Sequence, residues 1–81
     1  MPLVNVKLIA GVFTHGQKQE MIRRLTGAMV SVGGESMRSV TWVVVDEVKS
    51  GDWGVGGQPI TTRDVKAMAA GRTREEQLAT H

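Results

Sequence analysis

The run Val40-Thr41-Trp42-Val43-Val44-Val45 restricts the fold of this chain more than any other stretch. It is almost wholly β-branched or aromatic, which suits a pleated strand and disfavours a helix. Its apolarity is continuous, which predicts burial on both faces, as in a parallel strand or one covered by a second subunit. A parallel partner has to be reached through a crossover. The preceding residues supply one. Leu3 to Ile9 alternates Val4, Val6 and Leu8 against Asn5 and Lys7, a strand with one buried face that ends at Ala10-Gly11. Thr14, three residues ahead of Gln17, has the spacing of a capping box at a helix start. From Gln17 onward, Met21, Ile22, Leu25, Ala28, Met29 and Val32 form an apolar stripe at helical steps. Lys18, Glu20, Arg23 and Arg24 occupy the opposite side, and Gly33-Gly34 stops the helix.

Strand, helix and strand in this length make a β-α-β unit with a right-handed crossover. The fold class is therefore α/β, with two parallel strands and one long helix. After Asp46-Glu47 the composition changes. Glycine fills four of the ten positions from Ser50 to Pro59, around Trp53, which suits a tight hairpin. Thr62 to Ala70 is expected to form a short helix, with Thr62 as its cap and Val65, Met68 and Ala69 as its apolar side. Residues 1–71 thus form the domain, and residues 72–81, with Arg72, Arg74, Glu75 and Glu76, a polar C-terminal tail.

At 81 residues the chain has room for one domain, a size at which a single core supplies only about 3–5 kcal/mol. There is no cysteine, so disulfides and thiolate metal sites are excluded, and imidazole comes only from His15 and His81. One crossover helix covers one face of a two-stranded sheet. The other face would carry Trp42 and Val44 in the open, more apolar surface than a soluble monomer usually shows. The strands are therefore expected to continue into, or pack on, those of another copy, and the fold to be completed by oligomerisation.

Other function classes are poorly supported. The net charge is +2, and the pI near 9.5 reflects only the lack of groups titrating between neutrality and the lysines. With Phe13, Trp42 and Trp53 as the aromatics and no clustered basic stripe, nucleic acid is not an expected partner. Gly54-x-Gly56 lacks the rest of a dinucleotide-binding pattern. Apolar runs fall short of the ~18 residues a membrane span needs, and the opening residues do not read as a secretory leader. The expected compartment is the cytosol.

Pro2 carries the unusual chemistry. A small second residue normally allows the initiator methionine to be trimmed, which would leave a prolyl secondary amine at the head of the first strand. An α-amino group titrates at about 7.7–8.0. A prolyl nitrogen is somewhat more basic, and burial pushes it back down, so the group suits a base at neutral pH. With Met1 in place the nitrogen is an amide and has no basicity.

Pro2 opening a β-α-β unit, Glu47 at the end of the second strand and the segment Gly51-Asp52-Trp53-Gly54-Val55-Gly56-Gly57 together resemble the 4-oxalocrotonate tautomerase family, over roughly Pro2 to Gly57. The resemblance implies small subunits that pair into dimers and assemble as trimers of dimers. It implies a cofactor-independent enzyme whose amino-terminal proline, here Pro2, moves a proton between an enol oxygen and a carbon of a small keto acid. It also implies an aromatic pocket wall in the hairpin, here Trp53.

The chain departs from the family at two arginine positions that grip substrate carboxylates. Gly11 is followed by Val12-Phe13 in a loop one residue longer, and Trp42 stands five residues before Glu47. Neither valine nor tryptophan reproduces the two-pronged match of a guanidinium to a carboxylate. A Trp42 that lines the cavity favours aromatic or apolar substrates over dianions, and Arg38, just outside the strand, is the nearest replacement carboxylate ligand. The first reading is a keto–enol tautomerase with Pro2 as general base and Trp53, Trp42 and Arg38 as substrate contacts. The alternatives are hydratase, dehalogenase or decarboxylase chemistry with Pro2 as acid, and a non-catalytic oligomeric relative.

Overall fold

The computed structural model describes residues 1–71. In chain order the elements are β1 (Leu3–Ile9), α1 (His15–Gly33), a 3-10 turn (Glu35–Met37), β2 (Trp42–Val48), β3 (Trp53–Val55), β4 (Gln58–Ile60) and α2 (Thr62–Ala69). β1 pairs with β2 in parallel, and β3 with β4 antiparallel. The α/β class and the β-α-β unit are as the sequence implied. The expected polar tail, 72–81, lies outside the described residues.

Two compact units emerge: Met1–Leu8 with Phe13–Asp46, and Ile9–Val12 with Glu47 onward. In the first, β1 alternates as its sequence predicts: Val4, Val6 and Leu8 are half-buried and Leu3, Asn5 and Lys7 exposed. Helix α1 begins at a complete capping box. Thr14 Oγ1 accepts from Gln17 N at 3.1 Å, and Thr14 N donates to Gln17 Oε1 at 2.8 Å. Two helix-start N–H groups are thereby satisfied. Thr14→Ala should cost about 1 kcal/mol, read as a lower urea midpoint, with Thr14→Ser close to wild type.

Only part of the anticipated stripe on α1 is covered. Met21, Leu25 and Met29 are half-buried, but Ile22 and Ala28 are exposed and Val32 is 88% exposed. The stripe is wider than two strands can cover. The helix closes against the 3-10 turn, where a Cβ on Gly33 would lie 2.6 Å from Met37 Cγ, so only glycine fits without a shift.

The second strand differs from its expected Val40–Val45 limits. The N–H groups of Val40 and Thr41 donate to Met37 O at 3.2 and 3.0 Å, and the Thr41 hydroxyl does the same at 2.7 Å. Those donors are spent on the turn, so the ladder starts at Trp42 and runs on through Asp46 and Glu47 to Val48. Burial on both faces is not seen within the subunit either. Val43 and Val45 are half-buried, whereas Trp42 and Val44 face outward.

The second unit holds the buried apolar residues Ile9, Ile60 and Ala67. Its hairpin pairs Trp53 with Ile60 and Val55 with Gln58. Gly56 and Gly57 have φ of 58° and 82°, the two successive positive values that a tight two-residue turn demands. Helix α2 is capped by Thr61, one residue earlier than expected. Thr61 and Asp64 form the reciprocal box at 3.0 and 3.2 Å. Thr62 is engaged elsewhere: its N–H donates to Ser50 Oγ at 2.9 Å and its hydroxyl to Ala10 O at 2.5 Å. The buried side of α2 is Ala67 rather than Met68 and Ala69, which are exposed.

Candidate active site

Pro2 is anchored at the head of β1. Its carbonyl accepts from Trp42 N at 2.9 Å, and at the far end of the ladder Ala10 N donates to Val48 O at 2.7 Å. Both bonds fit one regular parallel register, in which Leu3 lies opposite Trp42, Asn5 opposite Val44 and Lys7 opposite Asp46. Opposed residues share a face, so the outward face of the sheet changes character along its length. Beside Pro2 it is apolar, with Leu3 62% and Trp42 58% exposed, and Val44 follows at 37%.

The other end of that face is polar. Asn5 Nδ2 donates to Asp46 Oδ2 at 3.0 Å, and Lys7 Nζ reaches the same oxygen at 3.3 Å. The Asn5 amide first, and the Lys7 ammonium with it, hold the Asp46 carboxyl below its ordinary 3.8. An acid held ionised in this way is a weak base for activating water. Because the folded pKa is the lower one, the contribution to stability is complete above the unfolded value and fades as pH falls through the folded one. Asp46→Asn should therefore flatten the melting temperature against pH over about pH 5 to 2, compared with wild type, while leaving it little changed as a function of pH near neutrality.

Arg38 follows the 3-10 turn and is already paired. Its Nε donates to Glu35 Oε1 at 2.7 Å and its Nη2 to Glu35 Oε2 at 3.4 Å. The pair lowers the Glu35 pKa and raises that of Arg38. The pairing uses Nε and Nη2, so a substrate carboxylate would meet Nη1 of a guanidinium whose charge Glu35 already offsets. Arg23 and Arg24 share Glu20, with Arg24 Nε 2.9 Å from Oε1, at the three- and four-residue spacings of a helix surface.

The structure thus joins Pro2 to Trp42 through the backbone and sets Arg38 in the same compact unit. Trp53 opens β3 in the other unit, half-buried and paired with Ile60. Val12 is half-buried, and His15, at the first turn of α1, is exposed. Among the described residues no three His, Asp or Glu side chains gather where they would hold a metal ion. Two groupings escaped the sequence reading: the Asn5–Asp46–Lys7 cluster and the Glu35–Arg38 pair. The same-face spacing of Asn5 and Lys7 and the three-residue step from Glu35 to Arg38 were the available signals.

Residues 2–63 match the family described as "Tautomerase enzyme", a span that starts at Pro2 and takes in both strands, α1 and the hairpin. The chain belongs to the tautomerase family. Within the family it is similar to "Probable tautomerase K2" of Dickeya dadantii (strain 3937), 34% identical over 67 residues that cover 83% of this chain and 98% of that one. It is also similar to a "Probable tautomerase" of Helicobacter pylori (strain J99), 39% identical over 62 residues, 74% of this chain and 90% of the relative. Among solved structures, "apo unFused 4-OT" superposes with a TM-score of 0.65 at 35% identity, covering 78% of this chain and 97% of that one. DmpI from Helicobacter pylori superposes at 0.64 with 34% identity, covering 73% and 95%. These likenesses place the chain with the 4-oxalocrotonate tautomerases and support an isomerase-type enzyme. Among the described residues no helix is long and apolar enough to cross a membrane.

Proposed function

We propose that this tautomerase interconverts the enol and keto forms of a small carboxylate-bearing substrate, with the amine of Pro2 as its base. The observation that carries the reading is the position of Pro2. It is the first residue of the family match and is fixed by the Trp42 N–H at the head of β1. Once Met1 is removed, the prolyl nitrogen has a lone pair on a strand end that cannot wander. That lone pair takes the enol hydroxyl proton, the carbonyl forms as the carbon–carbon double bond breaks, and the prolyl ammonium returns its proton to carbon. The amine ends each cycle as it began, and no cofactor enters the proton count.

The enzyme works as a homo-oligomer in this reading. Among the described residues the buried apolar residues all belong to the second unit, while the first keeps Leu3, Trp42 and Val44 in the open. A second copy on that sheet face supplies the missing cover, and a trimer of dimers is the expected assembly. Trp53 forms a pocket wall in the assembled enzyme, and Arg38 becomes a carboxylate ligand. The reading is tested by following ketonisation of phenylenolpyruvate, with and without the Pro2 amine, on protein whose amino terminus is defined by intact mass. Loss of turnover together with loss of the amine is the expected result.

A further inference from the structure

We infer that Met37, in the 3-10 turn ahead of β2, is a positioning residue: it fixes where β2 begins and thereby holds Pro2 in place. This rests on the reading of Pro2 as the base.

The turn is tied from both sides. On the helix side, the Met37 side chain fills the space that a Cβ on Gly33 would need, which would lie 2.6 Å from its Cγ and 3.3 Å from its Sδ. An unbranched thioether suits the notch that a glycine leaves. Gly34, with a φ of 95°, turns the chain, and its carbonyl accepts from Met37 N at 3.0 Å. Glu35 and Arg38 close the same turn, with Arg38 N donating to Glu35 O at 3.1 Å and the side chains 2.7 Å apart. That ion pair is exposed and adds only a minor share.

On the strand side, Met37 O accepts from Val40 N at 3.2 Å, Thr41 N at 3.0 Å and the Thr41 hydroxyl at 2.7 Å. A carbonyl has two lone pairs, so these donors use its full capacity. The next amide in the chain is that of Trp42, and it donates to Pro2 O at 2.9 Å. Met37 and Pro2 are therefore joined through two consecutive backbone amides, all within one compact unit. The prolyl ring fixes its own geometry but not the path of the chain behind it. That path is held at the Pro2 carbonyl. A displacement of about 1 Å caused by a remote change can cost about 10²-fold in rate.

The test uses demethionylated protein and measures amide hydrogen exchange at Trp42 together with kcat for phenylenolpyruvate per folded, assembled enzyme. Thr41→Val removes one donor to Met37 O. It should speed exchange at Trp42 about three- to tenfold, the effect of one lost hydrogen bond. It should lower kcat by a similar factor and leave KM within about twofold, while Thr41→Ser stays near wild type on both measures. Met37→Ala empties the notch beside Gly33 and should lower kcat by about ten- to a hundredfold. Met37→Leu, of similar volume, should keep most of the activity. Gly33→Ala pushes on the same side chain and should lower kcat alone, but add nothing to Met37→Ala, because the clash needs both partners. A merely structural role would lower the melting temperature and the folded fraction and leave kcat per folded enzyme unmoved. Wild-type exchange at Trp42 in both Thr41→Val and Gly33→Ala, or unchanged kcat where that exchange has risen, overturns the inference. If Pro2 is not the base, Pro2→Ala will keep full turnover, while exchange at Trp42 still reports whether Met37 fixes the start of β2, so the two failures are told apart.

Discussion

Pro2→Ala, in protein freed of Met1, should ketonise phenylenolpyruvate about 10²–10⁴-fold more slowly than wild type, the range that a positioned acid–base group contributes. Alanine leaves a primary amine at the terminus, so basicity alone is not removed. What is lost is the ring, which makes the amine secondary and removes free rotation of the nitrogen about its bond to Cα at the head of β1. The remaining rate comes from the less well-placed primary amine, from orientation and from donors facing the enolate oxygen. The pH profile adds a second check. The base works in its neutral form, so kcat/KM should rise with pH through the prolyl pKa, and an unperturbed α-amine sets that limb at about 7.7–8.0. Pro2→Ala should displace the limb or abolish it.

The second large effect concerns assembly. Val44→Asp should dissociate the proposed homo-oligomer, seen in sedimentation velocity as a shift towards the 8.8 kDa subunit and in calorimetry as a much lower melting temperature. Val44 lies mid-strand on the outward face, between the Leu3–Trp42 end and the Asn5–Lys7–Asp46 end, and is 37% exposed in the subunit. A carboxylate there lies two residues from Asp46 on the same face, without an added cation. Covering an unpaired charge costs several kcal/mol, and a chain of this size, with three buried apolar residues among the described ones, has little stability to lose. Val44→Ile should leave the assembly intact. If Val44→Asp sediments and melts like wild type, this sheet face is not the one that a second copy covers.

Much of the fold could be read from residue order because the signals were local. The alternation from Leu3 to Ile9, the Thr14–Gln17 spacing and the Gly56-Gly57 pair each act over a few residues, and each is seen in the structure. The structure departs from that reading where a neighbouring turn or a group remote in the chain claims the polar atoms. Val40 and Thr41 have strong strand propensity, but Met37 O claims their N–H groups. Thr62 looks like a cap, but Ala10 and Ser50 claim its polar groups and leave the role to Thr61. The site was legible to a lesser degree. Pro2 is recognisable because its chemistry depends on one terminus, and its link to Trp42 fits the expected parallel pairing. That Glu35 and Asp46 neutralise Arg38 and Lys7 depends on side-chain geometry, which composition does not encode.

The most direct test of the central claim uses one sequence in two forms, separated and verified by intact mass, with Met1 present or removed. Both have the same residues from Pro2 onward, and differ in the Met1 residue and so in whether the Pro2 nitrogen is an amide or an amine. The account predicts ketonisation of phenylenolpyruvate by the demethionylated form and a rate lower by about 10²-fold or more when Met1 is retained. Equal turnover by the two forms would contradict it.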